Sequence, residues 1–156
     1  MSATGLEVLD KSLQTTNIWL KEIMEMEAVG PDRQLAWRVL GAVLHTLRDR
    51  LAVDQVAHLG AELPIVIRGL YYDQWHPAGK PERDRRADEF VARIAADLHD
   101  TRRVGPDDAA RAVFLTLGKH VSAGQVEKIR QSLPEHIRRL WPEPARGGAT
   151  AETEPV

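Results

Sequence analysis

The chain repeats itself. Laying Leu63-Pro64 over Leu133-Pro134, 70 residues further on, also places Ala42 on Ala112, Val43 on Val113, Thr46 on Thr116 and Leu47 on Leu117 without a gap. Gln55, Val56, Ile67, Arg68 and Leu70 fall on Gln125, Val126, Ile137, Arg138 and Leu140 in the same register. Tyr71 falls on Trp141, an aromatic on an aromatic. The punctuation Val29-Gly30-Pro31-Asp32 recurs as Val104-Gly105-Pro106-Asp107 at an offset of 75, so the second helix of the first half should be about five residues longer than its counterpart. Two stacked units share one mutual interface, which is too little for an open solenoid. Each copy alone lies near the lower size limit of an independent core. The expectation is an all-α, compact helical bundle of two similar multi-helix units related by a pseudo-twofold.

The units are helical because their apolar residues recur at three- and four-residue steps. Leu6, Leu9, Leu13, Thr16, Leu20, Ile23 and Met24 predict a first helix over about 6–27. Pro31 opens a second, to Arg50, with Leu35, Val39, Val43 and Leu47 on one face. Trp37, Leu40 and Leu44 widen its apolar arc, the mark of a central helix touched on several sides. Val56, Leu59 and Leu63 define a third over about 53–63, and Pro64 opens a fourth through Ile67, Leu70 and Tyr71. Ile65-Val66-Ile67 has strand propensity, but its setting between Pro64 and Arg68-Gly69-Leu70 favours a helical turn. The second half restarts near Arg83, with Ala87, Phe90, Val91, Ile94, Ala95 and Leu98 inward. It continues through Ala110, Val113, Leu117 and Val121. Ser122 with Gln125 is a capping-box pattern, and Pro134 opens the last helix, through Ile137 to Trp141. One domain over 6–141 is expected, with repeats 6–72 and 83–141 and a linker over 73–82. Residues 142–156, with three prolines, two glycines and no aromatic residue, predict a disordered tail.

Composition narrows the chemistry. The chain has no cysteine, which excludes disulfides, thiolate metal sites and cysteine nucleophiles. Twenty-one Lys and Arg against 23 Asp and Glu argue against a general polyanion binder. No apolar run approaches about 18 residues, so no membrane span is expected, and the start lacks a signal-peptide pattern. A cytoplasmic protein is the expectation. Neither GxGxxG nor GxxxxGK[ST] occurs, the serines sit in no GxSxG context, and no cofactor is expected. A helix-turn-helix reader is disfavoured, because Asp54-Gln55-Val56-Ala57-His58 after the candidate turn carries little positive charge.

The stretches 45–51 (HTLRDRL), 57–64 (AHLGAELP) and 68–75 (RGLYYDQW) resemble the bacterial domain-of-unknown-function family 2267. Phe90-Val91, 110–117 and Leu133-Pro134 extend the resemblance over about residues 8–141. It implies an all-helical fold and carries no catalytic set, cofactor or partner to transfer.

Three groups of residues are candidates for function. Arg68, Tyr71, Tyr72, Trp75 and His76 form an arginine- and aromatic-rich exit from the fourth helix, the composition of an interaction surface. Arg48, Arg50 and Arg138 form a secondary basic patch. Arg68 and Arg138 also have a structural reading, as salt bridges or carbonyl clamps kept in both copies. His45, Asp49, His58 and Glu62, two pairs at four-residue spacing, are the alternative: a metal or acid–base site if the second and third helices face each other. The function read from these residues is a non-catalytic interaction or regulatory module that binds a protein partner or self-associates, with nucleic acid not expected. The alternative is a metal- or small-ligand-binding helical protein, including a hydrolytic enzyme.

Overall fold

The structure, a computed structural model, describes residues 3–82, 89–101 and 104–142. Among them are eight helices and no strand. They are α1 (Glu7–Met24), α2 (Arg33–Arg50), α3 (Val53–Ala61), α4 (Ile65–Tyr72), α5 (Glu89–Asp97), α6 (Pro106–His120), α7 (Ala123–Ser132) and α8 (Glu135–Arg138). The expected helix start near Arg83, with Ala87, lies outside the described residues, as does the expected tail beyond Pro142.

The repeated Val-Gly-Pro-Asp motif is used in two registers. Before α2, Gly30 adopts a positive φ of 74°, which glycine tolerates without a Cβ clash. Asp32 is then the N-cap, its carboxylate accepting from the Leu35 N–H at 3.0 Å. Pro31 therefore precedes the cap rather than opening the helix. Before α6, Gly105 takes the cap position and Pro106 is the first helical residue. The shift leaves α2 with 18 residues and α6 with 15, a smaller difference than the sequence offset predicts.

Helix α2 is central. It packs against α1, α4, α5 and α6, and α6 packs against α1, α2, α5 and α7. Leu35, Val39, Leu40, Val43, Leu44 and Leu47 are all buried, which is the wide arc read from the sequence. The second half centres on Phe114, stacked on Trp141 at 4.4 Å and tilted against Phe90 at 6.2 Å. Ile94 and Leu98 face inward as expected, whereas Ala95 is exposed.

The buried line of α1 differs from the expected one. Leu6 and Leu13 are exposed, and the inward residues are Ser12, Thr16, Trp19, Leu20 and Ile23. The inward face also answers a need of α4. Its N-cap is Pro64, whose side chain accepts nothing, so the Val66 N–H at the start of the helix needs an acceptor. Ser12 Oγ supplies it at 3.1 Å, from the same face of α1 that buries Trp19 and Ile23. Trp19, only 1% exposed, then reaches α6, where its ring stacks on His120 at 4.9 Å. The His120 Nε2 also pairs with the Glu22 carboxylate at 2.6 Å.

Ser122 caps α7, its Oγ accepting from the Gln125 N–H at 3.4 Å. The reciprocal half of a capping box would send the Ser122 N–H to Gln125. Instead that N–H donates to Glu62 Oε1 at 2.7 Å, and the hydroxyl donates to Glu62 Oε2 at 2.9 Å, joining the end of α3 to the start of α7.

One packing contact yields a prediction. A Cβ on Gly60 would lie 2.3 Å from the Tyr72 hydroxyl and 2.7 Å from Cζ. Gly60→Ala therefore has to displace the Tyr72 ring, and is expected to cost about 1–3 kcal/mol as an overpacked site despite alanine's better helix propensity. In Tyr72→Ala the same substitution should cost far less, a non-additivity that denaturant titration of the four proteins would measure. Equal costs in both backgrounds would refute the clash.

Candidate functional site

Arg33, Trp37, Gly41, His45 and Asp49 follow one another every four residues along α2, exposed or half-buried except for the buried Gly41. At 3.6 residues per turn each step overshoots by about 40°, so the line winds about 160° around α2 over about 24 Å. Three hollows lie along it. The first, about 550 Å³, is lined by Leu20, Arg33, Gln34, Trp37 and Arg38. The second, about 380 Å³, runs from Trp37 and Arg38 past Gly41 to His45, with Leu70, Asp73, Gln74 and Asp97 as walls. The third, about 200 Å³, has His45, Thr46, Asp49, Arg93, Ala96 and Asp97 around it. Neighbouring hollows share Trp37 and Arg38, then His45 and Asp97, so they follow one another as a groove along α2, the first beside Leu20 of α1, the second between the end of α4 and α5, and the third against α5.

The floor is low because residue 41 is glycine; a Cβ there would come within 3.2 Å of the Leu70 side chain. The α4 wall is held by α2. Helix C-terminal carbonyls lack intrahelical donors. His45 Nε2 lies 2.6 Å from the Leu70 oxygen. A carbonyl only accepts, so Nε2 carries the hydrogen, and in the neutral imidazole Nδ1 is left as the acceptor. Arg48 Nη1 donates to the Tyr71 oxygen at 2.8 Å and the Asp73 oxygen at 2.9 Å. Beyond Asp73, Gln74 takes a positive φ of 64°, an uncommon conformation for a side-chain-bearing residue.

The charges in the groove are unevenly satisfied. Arg38 pairs with Asp100 and also reaches the Asp97 carbonyl; that hydrogen bond holds the Asp100 carboxyl below the usual carboxylate range. Arg93 pairs with Glu82, and Asp49 accepts from Arg48 Nε at 2.9 Å. Arg33 bonds to Asn17. The cations therefore have acceptors. The carboxylates of Asp73 and Asp97, both exposed, have no partner among the described residues. The second hollow is lined by the Trp37 ring, the His45 imidazole, the Gln74 amide and the Arg38 guanidinium, and by Asp73 and Asp97, whose carboxylates alone among its charged groups are unpaired among the described residues.

The residues proposed from sequence are distributed differently. Tyr71 is buried, with its hydroxyl donating to the Val56 carbonyl at 2.9 Å, so it belongs to the core and not to an accessible surface. Tyr72 and Trp75 are half-buried against that core, with ring centroids 5.7 Å apart, and His76 is exposed. Arg68 donates to the Leu63 carbonyl at 2.8 Å and the Ala61 carbonyl at 3.3 Å. Arg138 does the equivalent at Leu133, 2.9 Å, and Arg130, 3.1 Å. Both arginines are carbonyl clamps. The basic patch does not assemble, since Arg48 is only 4% exposed and turned inward, Arg50 is half-buried, and Arg138 is occupied.

The four candidate metal ligands are not brought together. His45 is bonded to Leu70, Asp49 to Arg48 and Glu62 to Ser122, while His58 is exposed. Among the described residues no group of three or more histidine, aspartate or glutamate side chains is placed to hold a metal ion. Trp37, Asp73 and Asp97 were missed as site residues. The stripe of α2 was visible as a four-residue spacing, but Trp37 also fits an apolar arc, and nothing local brings Asp97 to the groove.

An all-helical protein with a groove along its central helix is thus the class that the fold and site define, and none of its described helices is long and apolar enough to cross a membrane. The chain belongs to the family described as Uncharacterized conserved protein (DUF2267), which it matches over residues 16–140. No curated protein matches it.

Proposed function

We propose that this is a non-catalytic, cytoplasmic interaction module that holds a segment of a protein partner in the α2 groove. The observation that carries the reading is the charge imbalance beside Trp37: nearby cations are paired, while Asp73 and Asp97 are not. A half-buried tryptophan in a concave patch with polar acceptors around it is the composition of an interface hot spot. Tyr72, Trp75 and His76, at the exit from α4, adjoin this site because Asp73 and Gln74 stand between Tyr72 and Trp75 in the chain. The body is one domain over 6–141, built from units 6–72 and 83–141 joined by 73–82. In support, α2 and α6 end at Arg50 and His120, α3 and α7 start at Val53 and Ala123, and α4 and α8 start at Ile65 and Glu135, the register of the sequence repeat. The Arg68 and Arg138 clamps keep that register too.

A photo-crosslinking residue tests the reading. Placed at Gln34 or Ala96, it should join the chain in its host to the same protein. Placed at Val53 or Ile65, exposed but outside the groove, it should not. Crosslinks from 53 and 65 alone would move the interface and sink the proposal.

A further inference from the structure

We infer that the middle hollow of the groove, between Trp37 and His45, is a binding site for a guanidinium group. This rests on the reading that the groove takes a partner segment, and it names the side chain that the segment would insert.

Four observations converge on that chemistry. The hollow, about 380 Å³, has room for an arginine side chain and its neighbours in a peptide. Its polar lining is rich in acceptors: the Asp73 and Asp97 carboxylates lack partners among the described residues, Gln74 adds an amide oxygen beside its amide donors, and the Leu70 carbonyl commits His45 Nε2 as a donor, so Nδ1 is the acceptor of the neutral ring. An anion would meet two unpaired carboxylates. Cations already nearby do not fill the role, because Arg38 is held by Asp100 and Arg93 by Glu82. Trp37 supplies an aromatic wall, and a planar guanidinium both stacks on such a ring and offers five donors in a fixed fork. An ammonium offers three donors on a point charge and gains less from the flat face. A divalent metal is a poorer match, since no ligand group of sufficient number is assembled among the described residues.

The repeat does not reproduce the arrangement around α6. At the repeat offset, Trp37 corresponds to Asp107, His45 to Leu115 and Asp73 to Glu143. The aromatic face and the oriented imidazole thus have no equivalents around α6.

The test uses the full chain labelled with ¹⁵N and three probes: ethylguanidinium, the blocked peptide acetyl-Gly-Arg-Gly-amide, and the same peptide with citrulline in place of arginine. Citrulline keeps the shape and removes the charge. The arginine peptide should shift the resonances of Trp37, His45, Asp73 and Asp97 saturably, and the citrulline peptide should bind at least tenfold more weakly. Asp73→Asn with Asp97→Asn, at two exposed positions whose side chains bond to no described residue, should fold normally, since the backbone carbonyls that Arg48 and Arg38 reach are kept, and lose at least tenfold in affinity for the arginine peptide. Ethylguanidinium shifting the same resonances would extend the site to free small cations; binding by the peptide alone would assign it to a partner's side chain. Equal binding of the citrulline peptide, an unaltered affinity in the double variant, or shifts confined to other surfaces would overturn the inference. Crosslinks from 34 and 96 combined with no arginine preference would leave the interaction module standing and remove only the guanidinium assignment. Arginine binding without those crosslinks would do the reverse.

Discussion

Replacing Tyr71 with alanine is expected to remove about 3–5 kcal/mol of stability, the range for truncating a large aromatic side chain in a packed core. The ring is fully buried, meets Tyr72 edge-on at 4.9 Å and bonds the Val56 carbonyl of α3. It therefore joins α4 to α3 by packing and by a hydrogen bond together. Tyr71→Phe separates the two contributions: it keeps the ring and loses only the hydroxyl bond, at about 1 kcal/mol. The phenol also sets a pH limit. Burial is the main force holding its pKa well above the usual tyrosine range, Tyr72 adds to it, and the Arg48 guanidinium opposes it. The folded protein thus keeps a proton that the unfolded chain releases near pH 10. Stability from this group is complete below that pH and falls as the pH rises above it, because the unfolded state binds fewer protons there. Denaturant titrations from pH 8 to 11 should show a steeper alkaline loss in the wild type than in Tyr71→Phe. Parallel profiles would refute the assignment.

Arg48→Met is the second large effect. The arginine is 4% exposed and serves three acceptors: Asp49 through Nε, and the Tyr71 and Asp73 carbonyls through Nη1. Methionine fills similar space but leaves two carbonyls and a carboxylate without their donor. Removing one member of a buried charged network costs about 3–5 kcal/mol, and for a chain of this size that lowers the thermal midpoint by roughly 6–20 °C. Arg48→Lys should recover part of the loss, since an ammonium is a point donor and cannot span the three acceptors as a fork does. Arg68→Met, at a half-buried clamp on two carbonyls, provides the contrast, with an expected cost of about 1 kcal/mol. A thermal midpoint for Arg48→Met within two degrees of wild type would show that water replaces the guanidinium.

The sequence was most legible where the signal is local. The arc of Leu35, Val39, Val43 and Leu47 on α2 is buried as its spacing requires, and Pro64 and Pro134 each stand immediately before a helix. Ser122 caps α7 as its pattern with Gln125 predicts. Periodicity was less informative along α1. Leu6 and Leu13 have the right spacing to be inward, yet the buried face is the one that carries Trp19 and on which Ser12 accepts the hydrogen bond from Val66. That bond joins residues far apart in the chain, and no three- or four-residue pattern encodes it.

The candidate site was less legible still. Aromatic and arginine content drew attention to Arg68 and Tyr71, which the fold uses for a carbonyl clamp and a core contact. Residue type alone does not separate a recognition surface from a satisfied interior, because arginine and tyrosine carry both apolar area and donors. His45 was visible as a titratable residue, but its role follows from the Leu70 carbonyl, which reaches it only when α4 folds back along α2.

By itself, then, the sequence determined the helical class, the approximate positions of the helices, the central standing of α2 and the family. These depend on side-chain periodicity, capping and proline, whose effects act within a few residues. Tertiary structure alone decided which arginines are occupied, which way the His45 imidazole is bonded, and that Asp73 and Asp97 face one groove with Trp37. Those properties depend on which donors and acceptors meet once helices distant in sequence have packed, and a buried polar group takes whichever partner that packing supplies.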